Sequence, residues 1–268
     1  MEWFTILLSS FITIISPVGL IVDRVVADAL RSQVAGVEEL AVRIDNTPSY
    51  QPIAGKIDRI RIASRGVEII ENLRIDSFEL ETDAIDIDIN KLQTLGGIKA
   101  IQSSLNKPFQ GAFRLVINEN DLNEALESNK IRSQLQKLVD SLLPPQAPQF
   151  EILKLRLNFI AENRLGLAVE LEQEAAEGQP PNQLAITAEV GFEVEKGRKI
   201  SLIDLNVTLN ERKLSQRFLT LLTTGISERL DLSTFEAQGL IARILDLKIN
   251  DNTVNIAAFF RLNTSDKD

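Results

Sequence analysis

The sequence has no cysteine and no histidine, and both absences remove whole classes of chemistry. Without cysteine there is no disulfide, no thiol nucleophile and no thiolate metal ligand. Without histidine there is no Ser-His-Asp triad, no imidazole ligand for zinc, and none of the most common general base. The sequence therefore favours a non-catalytic protein, and it predicts neither a metal nor a cofactor.

Aromatic residues are also scarce, at 5% of 268 residues with one tryptophan and one tyrosine, so a stacking platform for bases is poorly supported. The charge balance is acidic, with 29 Lys and Arg against 38 Asp and Glu, a net charge of -9. Nucleic acid and anionic lipid surfaces repel such a chain on average. We expect a folded protein with no nucleic-acid partner, because 44% hydrophobic content is enough for a substantial core.

The stretch TDAIDIDINKL, residues 82–92, contains a group of oxygen ligands that resembles a calcium site. Asp86, Asp88 and Asn90 satisfy the first three ligand positions of an EF-hand loop. The sixth position must be glycine and is Lys91, and the twelfth must be glutamate and is Gly97. A metal loop of this type cannot close here.

The same stretch alternates between apolar and polar residues, with Ile85, Ile87 and Ile89 on one side and the acids on the other. This period predicts a strand with one apolar face and one solvated face. The apolar phase switches from even to odd numbers between Ala84 and Ile85, and we predict a bulge there.

Residues 3–22 carry no charged side chain and would span about 30 Å as a helix. The run follows Glu2 and lacks the basic start and small-residue cleavage site of a signal peptide. We expect an uncleaved hydrophobic anchor helix over residues 1–23, followed by one domain over residues 24–268. An alternative interpretation is a buried helix of the globular core, broken near Pro17.

Most of the remaining sequence alternates with the period of strands. The strongest runs are residues 153–159, 165–171, 184–194, 203–209, 245–249 and 254–260. Short polar turns at 161–164, 195–198 and 250–253 predict antiparallel hairpins. Together these patterns predict about ten or eleven long strands in an antiparallel sheet with one apolar face.

Helical spacing interrupts the strand pattern. A short amphipathic helix is predicted over 23–35, a second helical segment over 122–142 after capping side chains, and a third over 214–230. Ser233 with Glu236 predicts a capping box for a brief helix that Gly239 ends. The predicted fold class is α+β, with two or three amphipathic helices covering a long antiparallel sheet.

The apolar face of this sheet has two interpretations. In the first, the face packs fully against the helices and forms a core. In the second, the sheet and the helices leave a groove between them that binds acyl chains. Burying about fifteen methylene groups would contribute roughly 12 kcal/mol before ordering costs, without any catalytic residue. The candidate lining positions, inferred from alternation alone, are Ile85, Ile87, Ile89, Leu135, Leu138, Leu155, Leu157, Phe159, Leu167, Val169, Ile186, Val190, Phe192, Phe218, Leu222, Ile256 and Phe260.

Several quoted stretches carry a family resemblance. FRLVINENDLNEAL, the preceding GKIDRIRIASRGV and DSFELETDAIDIDINKL, and the closing LTTGISERLDLSTFEAQGLIARILDLKINDNTVNIAAFF resemble a bacterial family of domains of unknown function that includes the LmeA-like phospholipid-binding proteins. The opening MEWFTILLSSFITIISPVGLIVDRV is similar to the start of members from photosynthetic bacteria.

The resemblance implies a fold similar to the tubular lipid-binding superfamily. In that fold a long twisted sheet wraps around helices, and an apolar tunnel is enclosed. It also implies binding or transfer of phospholipid in the bacterial cell envelope. With residues 3–22 as the anchor we expect a membrane-tethered domain that faces the periplasm, but the charges that flank the run, Glu2 and Asp23-Arg24, are too balanced to fix the side. No functional residue is carried over from the family, so the lining set above depends on the alternation.

Other motifs are weaker. Gly225-Ile226-Ser227 lacks the second glycine of a nucleophile elbow and a histidine to activate the serine. Lys56, Arg59 and Arg61 form a small basic spot that either meets a lipid phosphate or is simply solvated. A second hypothesis for the whole chain is a membrane-anchored scaffold whose sheet is fully packed and which binds a partner protein.

Overall fold

The computed structural model describes residues 31, 34–47, 54–70, 72–88, 91, 97–142, 149–173 and 182–265. The predicted anchor over residues 1–23 lies outside these ranges, as does most of the predicted helix over residues 23–35. Within the described ranges, no helix combines the length and the apolar character needed to cross a membrane.

Long strands account for most of the described chain. The strands are β1 (Gly36–Asp45), β2 (Lys56–Ile57), β3 (Arg59–Ile70), β4 (Leu73–Thr82), β5 (Ile85–Asp86), β6 (Phe109–Asn118), β7 (Phe150–Ile160), β8 (Arg164–Gln173), β9 (Asn182–Glu195), β10 (Lys199–Leu209), β11 (Arg212–Lys213), β12 (Leu240–Ile249) and β13 (Thr253–Leu262). The helices are α1 (Gly97–Ser104), α2 (Glu119–Glu127), α3 (Asn129–Leu142) and α4 (Gln216–Arg229), with a 3-10 helix at Leu232–Gln238.

The strands form a six-stranded sheet in the order β1-β3-β4-β6-β13-β12 and a five-stranded sheet in the order β11-β10-β9-β8-β7. Strands β2 and β5 form a separate pair, and all of the pairings are antiparallel. The α+β class and the antiparallel pairing are thus confirmed. The expectation of one sheet of about ten strands is wrong, because α2 and α3 separate β6 from β7 and the chain starts a second sheet after them.

The most tightly packed part of the molecule lies at one end of the six-stranded sheet. Phe109, Leu262 and Leu240 are neighbours on β6, β13 and β12, and none is more than 1% exposed. Ile101 and Leu105, in and just after α1, belong to the same cluster. This end is a closed hydrophobic core, since every member of the cluster is at most 7% exposed.

The phase switch at Ala84-Ile85 marks a break between strands. Strand β4 ends at Thr82, and after two residues the chain enters β5, which pairs with β2 outside the large sheets. The predicted bulge is therefore wrong, because a change of sheet reverses the apolar phase without one. The predicted alternation is confirmed as far as Asp88, since Ile85 and Ile87 are each 2% exposed whereas Asp86 and Asp88 are half-buried. Ile89 lies outside the described residues.

One register shift occurs instead in β3, at Ile69. Three others occur in β7 near Leu153, in β10 after Ile203 and in β12 at Leu245. These residues head three of the apolar series predicted from the sequence, yet they are 36%, 39% and 64% exposed. A bulge adds one residue to the strand, so the residues on its two sides follow opposite phases. The buried apolar residues consequently have even numbers before the bulge, as at Ile152, Leu202 and Ile244, and odd numbers after it, as at Phe159, Val207 and Ile249.

The turns follow the sequence closely, with one correction. All three predicted hairpins are confirmed, and Gly239 ends the 3-10 helix with a φ of 74°. The predicted capping box is wrong, because the helix starts two residues earlier than expected. Asp231 is its cap and accepts a hydrogen bond from the Ser233 amide at 2.8 Å, which lowers the pKa of the Asp231 carboxyl. Glu236 instead pairs with Arg243 at 2.8 Å.

Two leucines of β12 test the location of the core. Replacing Leu240, which is 0% exposed, with alanine should lower the free energy of unfolding by about 2–5 kcal/mol because it leaves a cavity. Replacing Leu245, which is 64% exposed, should change it by no more than about 0.5 kcal/mol. Urea unfolding followed by circular dichroism measures both, and equal effects would contradict the assignment.

Candidate functional site

The five-stranded sheet carries a continuous apolar surface on one side. Strand pairing places Leu157, Leu167, Ala188 and Val207 side by side across β7, β8, β9 and β10. The next row consists of Leu155, Val169, Ile186 and Leu209, and the row on the other side contains Phe159, Leu165 and Val190. Since residues paired across a ladder point to the same face, these rows form one surface.

This surface is only partly buried, in contrast to the closed core of the first sheet. On β8 and β9, the strands in the middle of the sheet, Leu171 is the one apolar side chain of this face that is buried. Leu165, Leu167, Ile186 and Val190 are all half-buried. The centre of the surface therefore keeps apolar area that the described residues do not fully cover.

Helix α4 lies along one side of this surface, against β10. Leu219 is 5% exposed, and the Ser227 hydroxyl accepts a hydrogen bond from the Leu202 amide at 3.0 Å. The carbonyl of Leu230, just after the helix, accepts another from the Ile200 amide at 3.3 Å. The serine of the Gly225-Ile226-Ser227 motif thus holds a helix on a strand, which explains its burial without any nucleophilic role.

Helix α2 lies along the opposite side and binds the free edge of β7 through side chains. The Asn123 side-chain amide accepts a hydrogen bond from the Leu157 amide and donates one to the Leu157 carbonyl, each at 2.8 Å. One turn earlier, the Glu119 carboxylate accepts a hydrogen bond from the Phe159 amide at 2.5 Å. These side chains supply the partners that another strand would otherwise provide.

Helix α3 extends the same pattern along β7. Gln136 accepts a hydrogen bond from the Ile152 amide at 3.0 Å and donates one to the Phe150 carbonyl at 2.6 Å. Arg132 donates to the Ile152 carbonyl at 2.6 Å. Sequence reasoning missed this polar edge, although the i, i+4 spacing of Glu119 with Asn123 and of Arg132 with Gln136 was available as a signal.

The two large sheets are joined through turns and through α2. The side-chain oxygen of Asn163, in the β7-β8 turn, accepts a hydrogen bond from the Ile249 amide on β12 at 2.8 Å. The Gly197 carbonyl, in the β9-β10 turn, accepts one from the Ile244 amide at 2.6 Å. Asp121 on α2 binds Arg74 on β4 at 2.8 Å. The second sheet is therefore held at its turns and at its β7 edge.

The predicted lining residues fall into separate groups. Ile85, Ile87 and Phe260 belong to the closed core of the six-stranded sheet, and Ile256 is half-buried on the same sheet. The five-stranded sheet carries Leu155, Leu157, Phe159, Leu167, Val169, Ile186, Val190 and Phe192. Leu135 and Leu222 are half-buried on α3 and α4, while the side chains of Leu138 and Phe218, and the whole of Ile89, lie outside the described set.

The small basic spot is neutralised by neighbouring acids. Arg59 pairs with Glu81 at 3.2 Å, and Arg61 binds Asp45. The hydrogen bond from Arg43 and the charge of Arg61 lower the pKa of the Asp45 carboxyl. Since two of the three cations in the spot are already paired, it is poorly prepared to bind a phosphate.

A shallow depression of about 700 Å³ lies elsewhere, over β1, β3 and β4. Its lining includes Glu39, Arg65, Asp76 and Glu79, and it contains none of the predicted lining residues. An acyl chain gains little from such a charged surface, so the half-buried face of the five-stranded sheet is the better candidate for an apolar ligand.

The fold and this face define an α+β protein of long antiparallel strands with a partly uncovered apolar surface. A family model described as LmeA-like phospholipid-binding matches residues 15–259, and the chain belongs to that family. The match confirms the resemblance seen in the sequence. A comparison with curated proteins finds no significant match.

The polar edge of β7 generates a stability prediction. Asn123→Ala should lower the free energy of unfolding by about 1–3 kcal/mol, because it leaves both backbone groups of Leu157 without their partner. Hydrogen exchange at the Leu157 amide should accelerate in parallel. The control is Asn120→Ala on the same helix, whose side chain is exposed. Equal effects of the two substitutions would show that the β7 edge does not depend on Asn123.

Proposed function

We propose that the protein binds a phospholipid by laying an acyl chain on the apolar face of the five-stranded sheet, between α4 and the helices on β7. Membership of a phospholipid-binding family supports a lipid ligand. The single observation that carries the location is the half-burial of the central apolar rows on β8 and β9. A core face of this composition is normally buried, as the first sheet illustrates.

The side chains of this face suit an acyl chain better than they suit a polar ligand. Its rows consist of leucine, valine, isoleucine, alanine and phenylalanine, which offer dispersion contacts and no hydrogen bonds. Strands of ten residues or more extend for over about 30 Å, longer than a typical acyl chain, so one ligand can contact several rows. Each methylene that leaves water contributes about 0.8 kcal/mol.

The proposed activity is binding, with transfer between membranes as an extension of it, and it involves no chemical step. Ser227, the one residue in a nucleophile-like motif, is 5% exposed and its hydroxyl is engaged with the Leu202 amide. The described residues also contain no group of three or more acidic side chains arranged to hold a metal ion.

The location in the cell is also a proposal. The uncharged run at residues 3–22 supports a tether to the membrane of the bacterial envelope, with the lipid-binding domain on its periplasmic side. A tether would keep an acidic domain near a bilayer that its net charge of -9 does not attract. Protease accessibility in spheroplasts measures the side, and protection of the domain there would contradict a periplasmic location.

A larger side chain on the apolar face should weaken lipid binding. Ala188→Phe places a ring between Leu167 and Val207, where it should displace about two methylenes and weaken binding about tenfold. The measurement is titration of the full chain with a fluorescent phospholipid, together with mass spectrometry of lipid extracted from the purified protein.

A matched control lies three residues away on the same strand. Ala185 is exposed on the opposite side of the sheet, so Ala185→Phe should leave binding unchanged. Val169→Thr preserves the side-chain volume and should also weaken binding. Because the volume is unchanged, this variant controls for a loss of binding that results from misfolding. Equal binding by all of these variants would contradict the proposed face. No lipid in the wild-type extract and no binding of the fluorescent lipid would favour the fully packed scaffold instead.

A further inference from the structure

The outward side of α4 has the composition of a surface that lies on a bilayer. Arg217, Leu221, Gly225 and Arg229 follow one another at one-turn spacing, and all four are exposed. Leu221 is 68% exposed, the largest value among the exposed large apolar residues of the described ranges, and the exposed Glu228 lies on the same side two turns further on. Ile226 is 42% exposed, but it lies about 140° from Leu221 around the helix, next to the side that faces the sheet. The helix therefore presents apolar side chains to both the sheet and the solvent.

Positive charge is concentrated at the start of the same helix. Arg212 and Lys213 on β11 precede it and Arg217 lies in its first turn, and all three are exposed. Glu211 is the one acid in the sequence between Asp204 and Glu228. In the described part of the chain, none of these three cations forms an ion pair. Elsewhere in the same ranges, Arg59, Arg61 and Arg74 are each bound to carboxylates.

The helix itself reinforces this charge. The first turn of α4 contains no acidic residue, although acids are favoured there because they compensate the positive end of the helix dipole. Cations at this end cost stability, so the arrangement concentrates positive potential without a structural benefit. A protein with a net charge of -9 thus has a local surface of the opposite sign here, next to the exposed Leu221.

We propose that this side of α4, from Arg212 to Arg229, docks on the surface of an anionic phospholipid bilayer. The apolar side chain of Leu221 enters the interface, and the arginines contact lipid phosphates from the rim. Charge favours a bilayer over a symmetric contact with a second copy, because that contact would bring two copies of the same basic surface together. Docking goes beyond lipid binding, and it brings the helix that borders the apolar face to the membrane.

A single fluorescent label tests the docking, because the chain has no cysteine of its own. Leu221→Cys in the full chain carries an environment-sensitive fluorophore, and Leu245→Cys is the control, since Leu245 is a comparably exposed leucine on β12. The labelled proteins are reconstituted in nanodiscs of phosphatidylcholine alone or of phosphatidylcholine with phosphatidylglycerol. We expect a blue shift and quenching by spin-labelled lipid at position 221 in the anionic nanodiscs, and neither at position 245.

Charge removal tests the electrostatic part. Arg212→Gln with Lys213→Gln and Arg217→Gln should lower the ratio of docked to undocked protein about a hundredfold, since each cation near an anionic surface contributes about fivefold. The same change on β3 and β6, Arg65→Gln with Arg114→Gln, should have no comparable effect. Raising the salt to about 1 M, which shortens the screening length to about 3 Å, should reproduce the loss.

Three results would overturn the proposal. The first is no spectral change at position 221 in anionic nanodiscs, and the second is an equal change at positions 221 and 245. The third is a change that grows with protein concentration in the absence of lipid, which would assign the face to contacts between copies of the chain. Lipid extracted from the purified protein does not bear on these outcomes, so docking and acyl-chain binding can fail independently.

Discussion

The β7 edge is the constraint on which the arrangement of the molecule depends. An edge strand exposes amide and carbonyl groups that must find partners in water or in the protein. Here Glu119, Asn123, Arg132 and Gln136 supply those partners from α2 and α3. Because these side chains bind the strand directly, both helices are held beside it, and α2 also reaches the first sheet through Asp121 and Arg74.

A helix fixed at an edge leaves the middle of a sheet uncovered. Helix α4 is bound in the same way on the opposite side, through Ser227 and Leu202 on β10. The apolar rows of β8 and β9 lie between these two attachments and remain half-buried. One end of the six-stranded sheet packs with α1 and is closed, with Phe109 and Leu240 at most 1% exposed, whereas Leu115, Ile117 and Ile256 at its other end are half-buried. The described chain therefore contains both a closed hydrophobic core and apolar rows that are only half-buried.

Local patterns predicted local structure well. The short turns at Ala161–Arg164 and Glu195–Arg198 each produced a hairpin, and the glycine at Gly239 ended its helix as expected, because turn chemistry depends on adjacent residues. Alternation identified the rows of β8 and β9 that form the candidate face. It could not separate them from Ile85, Ile87 and Phe260, which alternate equally well but are buried in the core.

Features that depend on distant pairing could not be read from the sequence. Periodicity shows that a segment is a strand but does not show which strand it joins, so the division into two sheets was not predictable. The bulges at Leu153 and Leu245 are visible only in the register between strands, and both leucines were assigned to the wrong face. The exposure of Leu221 was hidden for a similar reason, since an apolar residue in an amphipathic helix is normally assigned to the core.

Cross-linking with a phospholipid that carries a photoreactive group in its acyl chain tests the central claim most directly. After irradiation of the full chain with this lipid bound, mass spectrometry locates the modified residues. The account predicts modification on β8 and β9, at residues such as Leu165, Leu167, Ile186 and Val190. Modification confined to the closed core around Phe260, or none at all, would contradict it.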